Sequence, residues 1–224
     1  MEQLDIKALE KKAFRSFYKD GIYDLFMGLI LLSFGLPLIF NEFGWIDYET
    51  ITMPLLIPLI VNVGALLFFV FGKKCITVPR LGIAHFGKTR KRKLKHVKLL
   101  LAVSVLIGVI MFFLSLFKVF PVGGTTGIPL PFVIFGIQSL LIFSFVAYFM
   151  DFTRLYLYAF LFAVSLPLTF WLKRNTELLY PSLWVFTLTT IPMLAVGCVV
   201  FIKFLTQFPV RKDQGIGNEQ TEKK

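Results

Sequence analysis

Long apolar runs alternate along the chain with short polar segments. Six runs can be delimited: Gly21–Phe40, Ile51–Phe71, Val97–Phe117, Phe132–Met150, Leu155–Leu172 and Leu183–Leu205. Each holds about 18–23 residues, and at 1.5 Å of rise per residue a helix of that length crosses the roughly 30 Å hydrocarbon core of a bilayer. The runs are continuously apolar instead of alternating, which favours helices over barrel strands. The pattern predicts an all-α polytopic transmembrane bundle of six spans over residues 21–207.

The boundary between the fourth and fifth runs is short, because only the four residues Asp151–Arg154 separate them. Read as one helix, Phe132–Leu172 would extend about 60 Å, which is twice the thickness of the hydrocarbon core. We therefore expect a tight helical hairpin that turns at these polar residues.

Charge in the polar segments predicts the orientation. The chain holds 24 Lys and Arg, its formal net charge is +11, and the segment Gly72–Lys98 carries ten bases and no acid. With both termini in the cytoplasm, 21 bases lie on that side and three lie opposite. Basic residues accumulate in cytoplasmic loops, so this bias predicts a cell-membrane protein with cytoplasmic N- and C-termini. Tyr and Trp flank the runs as an interfacial belt would: Tyr18, Tyr23, Trp45, Tyr48, Tyr148, Trp171, Tyr180 and Trp184.

Three segments lie outside the apolar runs. Residues 1–20 combine bases with apolar positions at helical spacing, which predicts an amphipathic helix on the inner leaflet or, equally, one packed on the basic loop. Within the cytoplasmic loop 72–98, Cys75–Phe86 is rich in β-forming residues and is expected to be extended. The polar tail 208–224 is expected to be disordered.

The basic loop also supplies the candidate binding residues. Seven bases crowd its second half: Lys88, Arg90, Lys91, Arg92, Lys93, Lys95 and Lys98. Each could contribute about 1 kcal/mol of attraction to an anionic leaflet. The simpler alternative is that these charges only enforce topology. Because the bases lie in short loops between apolar runs, nucleic acid is not an expected partner.

Residues that support catalysis or hold a metal are sparse. The two histidines, His85 and His96, do not form a metal-binding frame, and Cys75 and Cys198 lack ligand spacing. No Gly-rich phosphate loop or nucleophile elbow occurs. Asp24, one turn into the first run, is interpreted as an acid that favours the positive end of a helix. We predict no catalytic residue, no metal, no cofactor and no enzymatic activity.

Uncharged polar residues inside the runs leave two interpretations open. Asn62, Gln138 and Thr190 either form hydrogen bonds between packed helices or line a polar pocket. Prolines within the runs could open such a space by kinking helices. The pocket interpretation would make the protein a transporter or permease for a small neutral solute.

Two short motifs carry a resemblance. The stretch Thr77–Phe86 with the basic run behind it, and the closing Phe204–Pro209, resemble elements of an uncharacterised prokaryotic family of small multi-pass membrane proteins. The resemblance implies the class and no activity. Because the external loops are short and most of the polar chain lies on the cytoplasmic side, we expect a non-enzymatic accessory or subunit protein whose basic cytoplasmic face engages anionic lipid head groups, a membrane protein partner or a second copy of itself.

Overall fold

A computed structural model describes residues 18, 20–46, 52–81, 88–116 and 130–209. These residues form helices and turns and no strand. The helices are α1 (Ile22–Glu42), α2 (Thr52–Gly72), a π-helical turn (Lys73–Thr77), α3 (Val78–Leu81), α4 (Lys88–Leu116), α5 (Leu130–Met150), α6 (Arg154–Asn175) and α7 (Pro181–Gln207). The prediction of an all-α chain is confirmed.

In the part of the chain that the structure describes, five helices are long and apolar enough to cross a membrane. They are α1, α5, α6, α7 and the continuous helix Met53–Arg80, which includes α2. The remaining predicted span, Val97–Phe117, overlaps α4, whose first three turns carry the basic run. Six spans therefore stay a prediction, whereas several membrane-length helices are a finding.

The helices pack in the spatial order α2, α1, α7, α6, α5, α4, so the first and last helices of the bundle are neighbours. In the apolar segment of α1, half of the residues are buried inside the bundle. The corresponding share for the helix Met53–Arg80, which includes α2, is 11%. Helix α1 is therefore central in the bundle and α2 is peripheral. Contacts between α1 and α7 show how these two helices run relative to each other. Gly21 at the start of α1 lies against Gly197 and Phe201 in the second half of α7, and Glu42 at the end of α1 contacts Ser182 at the start of α7. The two helices are therefore antiparallel.

A row of glycines allows α1 to approach α7 closely. Gly21, Gly28 and Gly35 are spaced seven residues apart and fall on one helix face. A Cβ at Gly28 would lie 2.6 Å from the Leu194 side chain, and one at Gly35 would overlap the Phe186 ring. Small residues at such an interface let backbones come close and gain dispersion contacts where lipid offers no hydrophobic driving force.

The turn between α5 and α6 is as tight as predicted. Helix α5 ends at Met150 and α6 begins at Arg154. Asp151 takes a left-handed backbone conformation with φ of 54°, which reverses the chain within three residues. Close packing of the two helices follows from Gly136, where a Cβ would lie 2.6 Å from the carbonyl oxygen of Ala163.

The expectation of an extended segment at Cys75–Phe86 is wrong for its first seven residues. Instead, α2 continues through the π-helical turn Lys73–Thr77 into α3. Pro79 supplies a physical reason for the π-helical turn. It has no N–H to donate, and its ring crowds the carbonyl group of the preceding turn. A wider turn relieves this crowding. Residues 82–87, residues 1–17 with the predicted interfacial helix, and most of the tail 208–224 lie outside the described residues.

The aromatic belt is placed only in part. Trp45, Trp171, Trp184 and Tyr148 are exposed on the surface of the bundle, as an interfacial role requires. Tyr18 is instead buried.

Candidate functional site

Two fully buried carboxylates lie at one end of the bundle, each paired with a base from another helix. We call this group the buried charge cluster: Asp20, Asp24, Lys73 and Arg154, with the hydroxyl groups of Thr77 and Tyr158. Asp20 and Asp24 lie at the start of α1, Lys73 and Thr77 in the π-helical turn after α2, and Arg154 and Tyr158 in the first two turns of α6. Both carboxylates are 0% exposed.

Asp20 joins the start of α1 to the end of α2. Its Oδ2 accepts a hydrogen bond from Lys73 Nζ at 2.6 Å and another from Thr77 Oγ1 at 2.5 Å. Its Oδ1 accepts the backbone N–H of Ile22 at 3.3 Å, in the first turn of α1. Gly21, between the two acids, has a positive φ of 76°, and a Cβ there would lie 2.5 Å from the carbonyl oxygen of Gly197. Only glycine fits this position without strain.

Asp24 joins α1 to α6. Arg154 Nη1 donates a hydrogen bond to Asp24 Oδ2 at 2.5 Å, and the Tyr158 hydroxyl donates to Oδ1 at 2.7 Å. Both carboxylate oxygens are therefore occupied by donors from one helix. The Arg154 side chain is 36% exposed, whereas the Lys73 side chain is only 9% exposed. The Asp24 pair is thus partly open to the surroundings, and the Asp20 pair is closed.

Aromatic rings enclose the cluster. Lys73 Nζ lies 5.6 Å from the ring centroid of Tyr18 and 5.9 Å from that of Phe69, within the range of cation–π attraction. Tyr23 packs edge-on against Tyr18 and Phe152. Burial, together with the nearby charge of Asp20, raises the pKa of the Tyr18 hydroxyl to about 12, so Tyr18 is neutral at physiological pH.

Two acids and two bases leave the cluster without net charge. A buried ion pair adds little stability compared with apolar residues of the same size, but removing one partner leaves an uncompensated buried charge. The cluster therefore acts as a specific connection among α1, α2 and α6. Its ion pairs and hydrogen bonds join three helices, which supports a structural role.

Asp24 lies in the first turn of α1, where an acid favours the positive end of the helix, and its carboxylate also accepts hydrogen bonds from Arg154 and Tyr158. Asp20 and Lys73 were not singled out from the sequence. The sequence did hold one indication that these residues could meet. The start of the first apolar run, the end of the second and the start of the fifth were all predicted on the cytoplasmic side of the membrane. The structure places the three predicted pocket residues in different surroundings.

Asn62 on α2 accepts a hydrogen bond from Ser33 Oγ on α1 at 3.1 Å. Gln138 on α5 donates to the carbonyl oxygen of Ser104 on α4 at 3.1 Å. Thr190 is buried in α7, and its hydroxyl has no hydrogen-bond partner among the residues described. Two of the three residues thus connect helices, as the packing interpretation expects.

A cavity of about 210 Å³ lies among α1, α4, α5 and α6. Its polar lining comes from Gln138, Ser104 and Ser139, and the rest is apolar, with Phe34 and Phe162 among the lining residues. Asn62 and Thr190 do not line this cavity. The shared pocket of all three residues therefore stays a prediction.

The candidate basic residues fall on a helix. All seven lie in the first three turns of α4, which runs without a break into the apolar stretch up to Leu116. Among those whose side chains are described, Arg92, Lys95 and Lys98 are exposed, and Lys93 is partly buried. Helical geometry holds these charges at defined positions relative to the bundle.

A second cavity, of about 230 Å³, lies where this basic segment meets the α5–α6 turn. We call it the interfacial cleft, and its lining residues are Lys93, Ala147, Tyr148, Asp151, Phe152, Thr153 and Tyr156. Among the residues that the structure describes, its polar lining consists of one base, one acid, two tyrosines and a threonine.

No group of three His, Cys, Asp or Glu capable of holding a metal occurs in the described ranges. Cys75 and Cys198 are both exposed free thiols. Comparisons with known protein families, with curated proteins and with solved structures find no match to this chain.

Proposed function

We propose that this chain is an integral membrane protein of six spans with both termini in the cytoplasm. It acts as a non-enzymatic accessory or subunit protein whose basic cytoplasmic face engages anionic lipid or a protein partner. The sixth span in this proposal is the apolar part of α4, beyond Lys98. Five membrane-length helices support the class of protein.

The observation that carries the proposal is the continuity of α4. Eleven helical residues from Lys88 to Lys98 extend about 15 Å along the helix axis before the apolar stretch begins. Arg92, Lys95 and Lys98 are exposed on this projecting segment. Bases fixed on a helix at a membrane surface attract anionic head groups over about one Debye length, roughly 8 Å at physiological salt.

The distribution of charge and the packing of the helices both support the proposed orientation, with this end of the bundle in the cytoplasm. The buried charge cluster brings the start of α1, the end of α2 and the start of α6 to one end of the bundle, and Gly21 adds the end of α7. The start of the basic α4 lies beside the α5–α6 turn at this same end. Among the described residues, this end therefore carries most of the bases, which supports its proposed cytoplasmic placement.

Nanodiscs of defined composition test the lipid proposal. The triple variant R92Q/K95Q/K98Q removes the exposed bases, and K173Q/R174Q, at the opposite end, is the control. We expect the unmodified chain and the control to retain anionic lipid in native mass spectrometry, with retention falling as salt rises. The triple variant should lose this preference. Equal retention by all three proteins would leave the basic residues only a topological role.

Purification from native membranes tests the partner proposal. A protein that co-purifies in stoichiometric amounts with the unmodified chain, and not with R92Q/K95Q/K98Q, would support an accessory role through this face. Loss of the same partner in K173Q/R174Q instead would contradict it.

The exposed thiol of Cys75 tests the orientation. In a C198A background, an impermeant thiol reagent should label Cys75 only after the cells are permeabilised. Labelling of intact cells would reverse the topology and with it the proposed cytoplasmic face.

A transporter for a small neutral solute is the alternative, and the cavity beside Gln138 favours it. Replacing Gln138 by Leu would remove its hydrogen bond to Ser104 and fill part of that space. Lost solute uptake by a Q138L variant that remains folded would support transport, with N62L as the comparison at a site outside the cavity. Lost folding would indicate packing instead.

A further inference from the structure

The cavity of about 210 Å³ among α1, α4, α5 and α6 lies deep within the apolar length of the bundle. Gln138, which lines it, comes eight residues after the start of α5 and twelve before its end, or about 12 Å and 18 Å along the helix axis. We propose that this cavity binds a neutral lipid whose polar group is a hydroxyl, such as a long-chain alcohol, and that the hydroxyl donates a hydrogen bond to Gln138 Oε1. The proposal rests on the membrane location proposed above and gives the cavity a resident lipid instead of a transported solute.

The hydrogen bonds of Gln138 determine which polar group fits beside it. Its Nε2 donates to the carbonyl oxygen of Ser104 at 3.1 Å and lies 3.4 Å from the Ser104 hydroxyl oxygen. Because a carbonyl oxygen only accepts, this contact orients Nε2 toward α4 and leaves Oε1 as an acceptor for a ligand. The hydroxyl of Ser139, also in the lining, already donates to the carbonyl oxygen of Gly136 at 2.9 Å. The cavity therefore calls for a ligand that donates, as a hydroxyl does.

The depth of the cavity favours a neutral ligand. A helix position 12–18 Å from both ends lies close to the middle of a hydrocarbon core about 30 Å thick. An ionised group there is costly unless an opposite charge or water meets it, and the lining residues that the structure describes include no ionisable side chain. Phospholipid head groups stay at the membrane surface, so this ligand differs from the anionic lipid proposed for the basic face of α4.

Phenylalanine rings form much of the remaining wall. Phe34 packs against Phe135 with ring centroids 5.3 Å apart, and Phe143 packs edge-on against Phe162 at 5.0 Å. A cavity of about 150 Å³ with an apolar lining stays dry and takes up a molecule the size of benzene. The larger cavity here has a similar lining, so it favours a hydrocarbon over water. The carbon chain next to the hydroxyl would fill it.

The exposure of the lining residues indicates where a ligand enters. Phe162 and Ser139 are buried, with 1% and 7% exposure, whereas Leu101 on α4 is 44% exposed on the side of the bundle. The cavity thus extends from the interior of the bundle to the lipid-facing surface of α4. An amphiphile can enter sideways from the bilayer and leave the rest of its chain among the surrounding lipids.

Two substitutions test the site by different routes. Q138M removes the acceptor and keeps a side chain of similar length and volume. L101W adds bulk at the exposed rim, where core packing is not disturbed, and keeps the proposal testable if Q138M fails to fold. The matched controls are N62L, which removes an interhelical amide outside the cavity, and V105W, which places the same ring at a 66% exposed position of α4.

Each protein is reconstituted into phosphatidylcholine nanodiscs and cross-linked to a dodecanol that carries a photoactivatable diazirine on its chain. The competitors are dodecanol and dodecyl methyl ether, which lacks the hydroxyl donor, compared at equal mole fraction in the bilayer. In the unmodified chain and both controls, labelled peptides should come from α4 and α5, and the alcohol should compete about fivefold better than the ether, as expected for one hydrogen bond. Q138M should lose this preference, and L101W should lose the labelling.

Four results would overturn the proposal. Equal competition by the alcohol and the ether in the unmodified chain would show that the hydroxyl is not recognised. An alcohol preference that persists in Q138M would place the acceptor elsewhere, and labelling of α4 and α5 that persists in L101W would place the ligand outside the cavity. Displacement of the probe by propanol at the same concentration would identify a small soluble ligand. The uptake assay with Q138L and the R92Q/K95Q/K98Q experiment report separately on the other proposals, so their failure is distinguishable from failure of this one.

Discussion

Replacing Asp20 by Asn is the most direct test of the buried charge cluster. The substitution keeps the size of the side chain and removes its charge, so Lys73 loses its ion pair with Asp20 while 91% of its side chain remains buried. The amide can still accept one hydrogen bond from Lys73, Thr77 or the backbone of Ile22. The perturbation is therefore electrostatic and leaves no cavity.

The expected cost follows from the burial of Lys73. Removing one member of a buried ion pair destabilises a protein by about 3–5 kcal/mol, because the remaining charge has lost its solvent and its partner. The rings of Tyr18 and Phe69 offset about 0.5–1 kcal/mol of this through cation–π attraction. We therefore expect the free energy of unfolding of D20N to fall by about 3 kcal/mol, a large fraction of a typical total.

A double-mutant cycle separates this electrostatic effect from a general loss of packing. K73M removes the base, and D20N/K73M removes both charges. Unfolding is measured in mixed detergent–SDS micelles by tryptophan fluorescence, with E177Q as an exposed control that should change stability by less than about 0.5 kcal/mol. The double variant should be more stable than the sum of the single losses predicts, by about 2 kcal/mol. Additive losses, or a D20N cost below about 1 kcal/mol, would refute the assigned ion pair.

Three further predictions concern other contacts of α1. D24N should cost less than D20N in the same assay, because Arg154 is 36% exposed and can turn toward solvent; an equal or larger cost would contradict this. E42A removes the carboxylate that accepts the backbone N–H and the hydroxyl of Ser182 in the first turn of α7, and should cost about 1 kcal/mol, as loss of a helix cap does. G35A places a methyl group against the Phe186 ring and should cost about 1–3 kcal/mol, whereas G64A on α2, where nothing lies within 4 Å, should be tolerated.

The helices and their directions could be predicted because their causes are local. Apolar length predicts a helix that can span a bilayer, and the distribution of bases predicts which helix ends lie together. The four residues Asp151–Arg154 predicted a tight hairpin from length alone, and the structure places the turn there. The sequence also identified Gln138 and Asn62 as residues whose polar groups need partners inside the bundle.

The contacts of the buried charge cluster could not be predicted in the same way. Asp20 and Lys73 are separated by 53 residues, and Asp24 and Arg154 by 130. Pairing across such distances depends on which helices are neighbours, and the hydrophobic pattern does not specify that order. The π-helical turn that carries Lys73 and Thr77 was also missed, because β-forming residues before Pro79 favoured an extended interpretation. Tertiary packing overrode the local preference there.

The glycine row of α1 has a consequence for biosynthesis. The surface that receives Gly28 and Gly35 belongs to α7, which is the last of the described helices to be made, and the partner of Asp24 is also encoded more than a hundred residues later. At about 5–20 residues per second, the ribosome needs on the order of ten seconds to make Arg154 after Asp24. During that interval α1 has neither its closest neighbour nor its counter-charge. The nascent chain must therefore keep α1 without these contacts until α6 and α7 are made. If the message were truncated before α7, the uncovered face of α1 would be open to recognition by quality control.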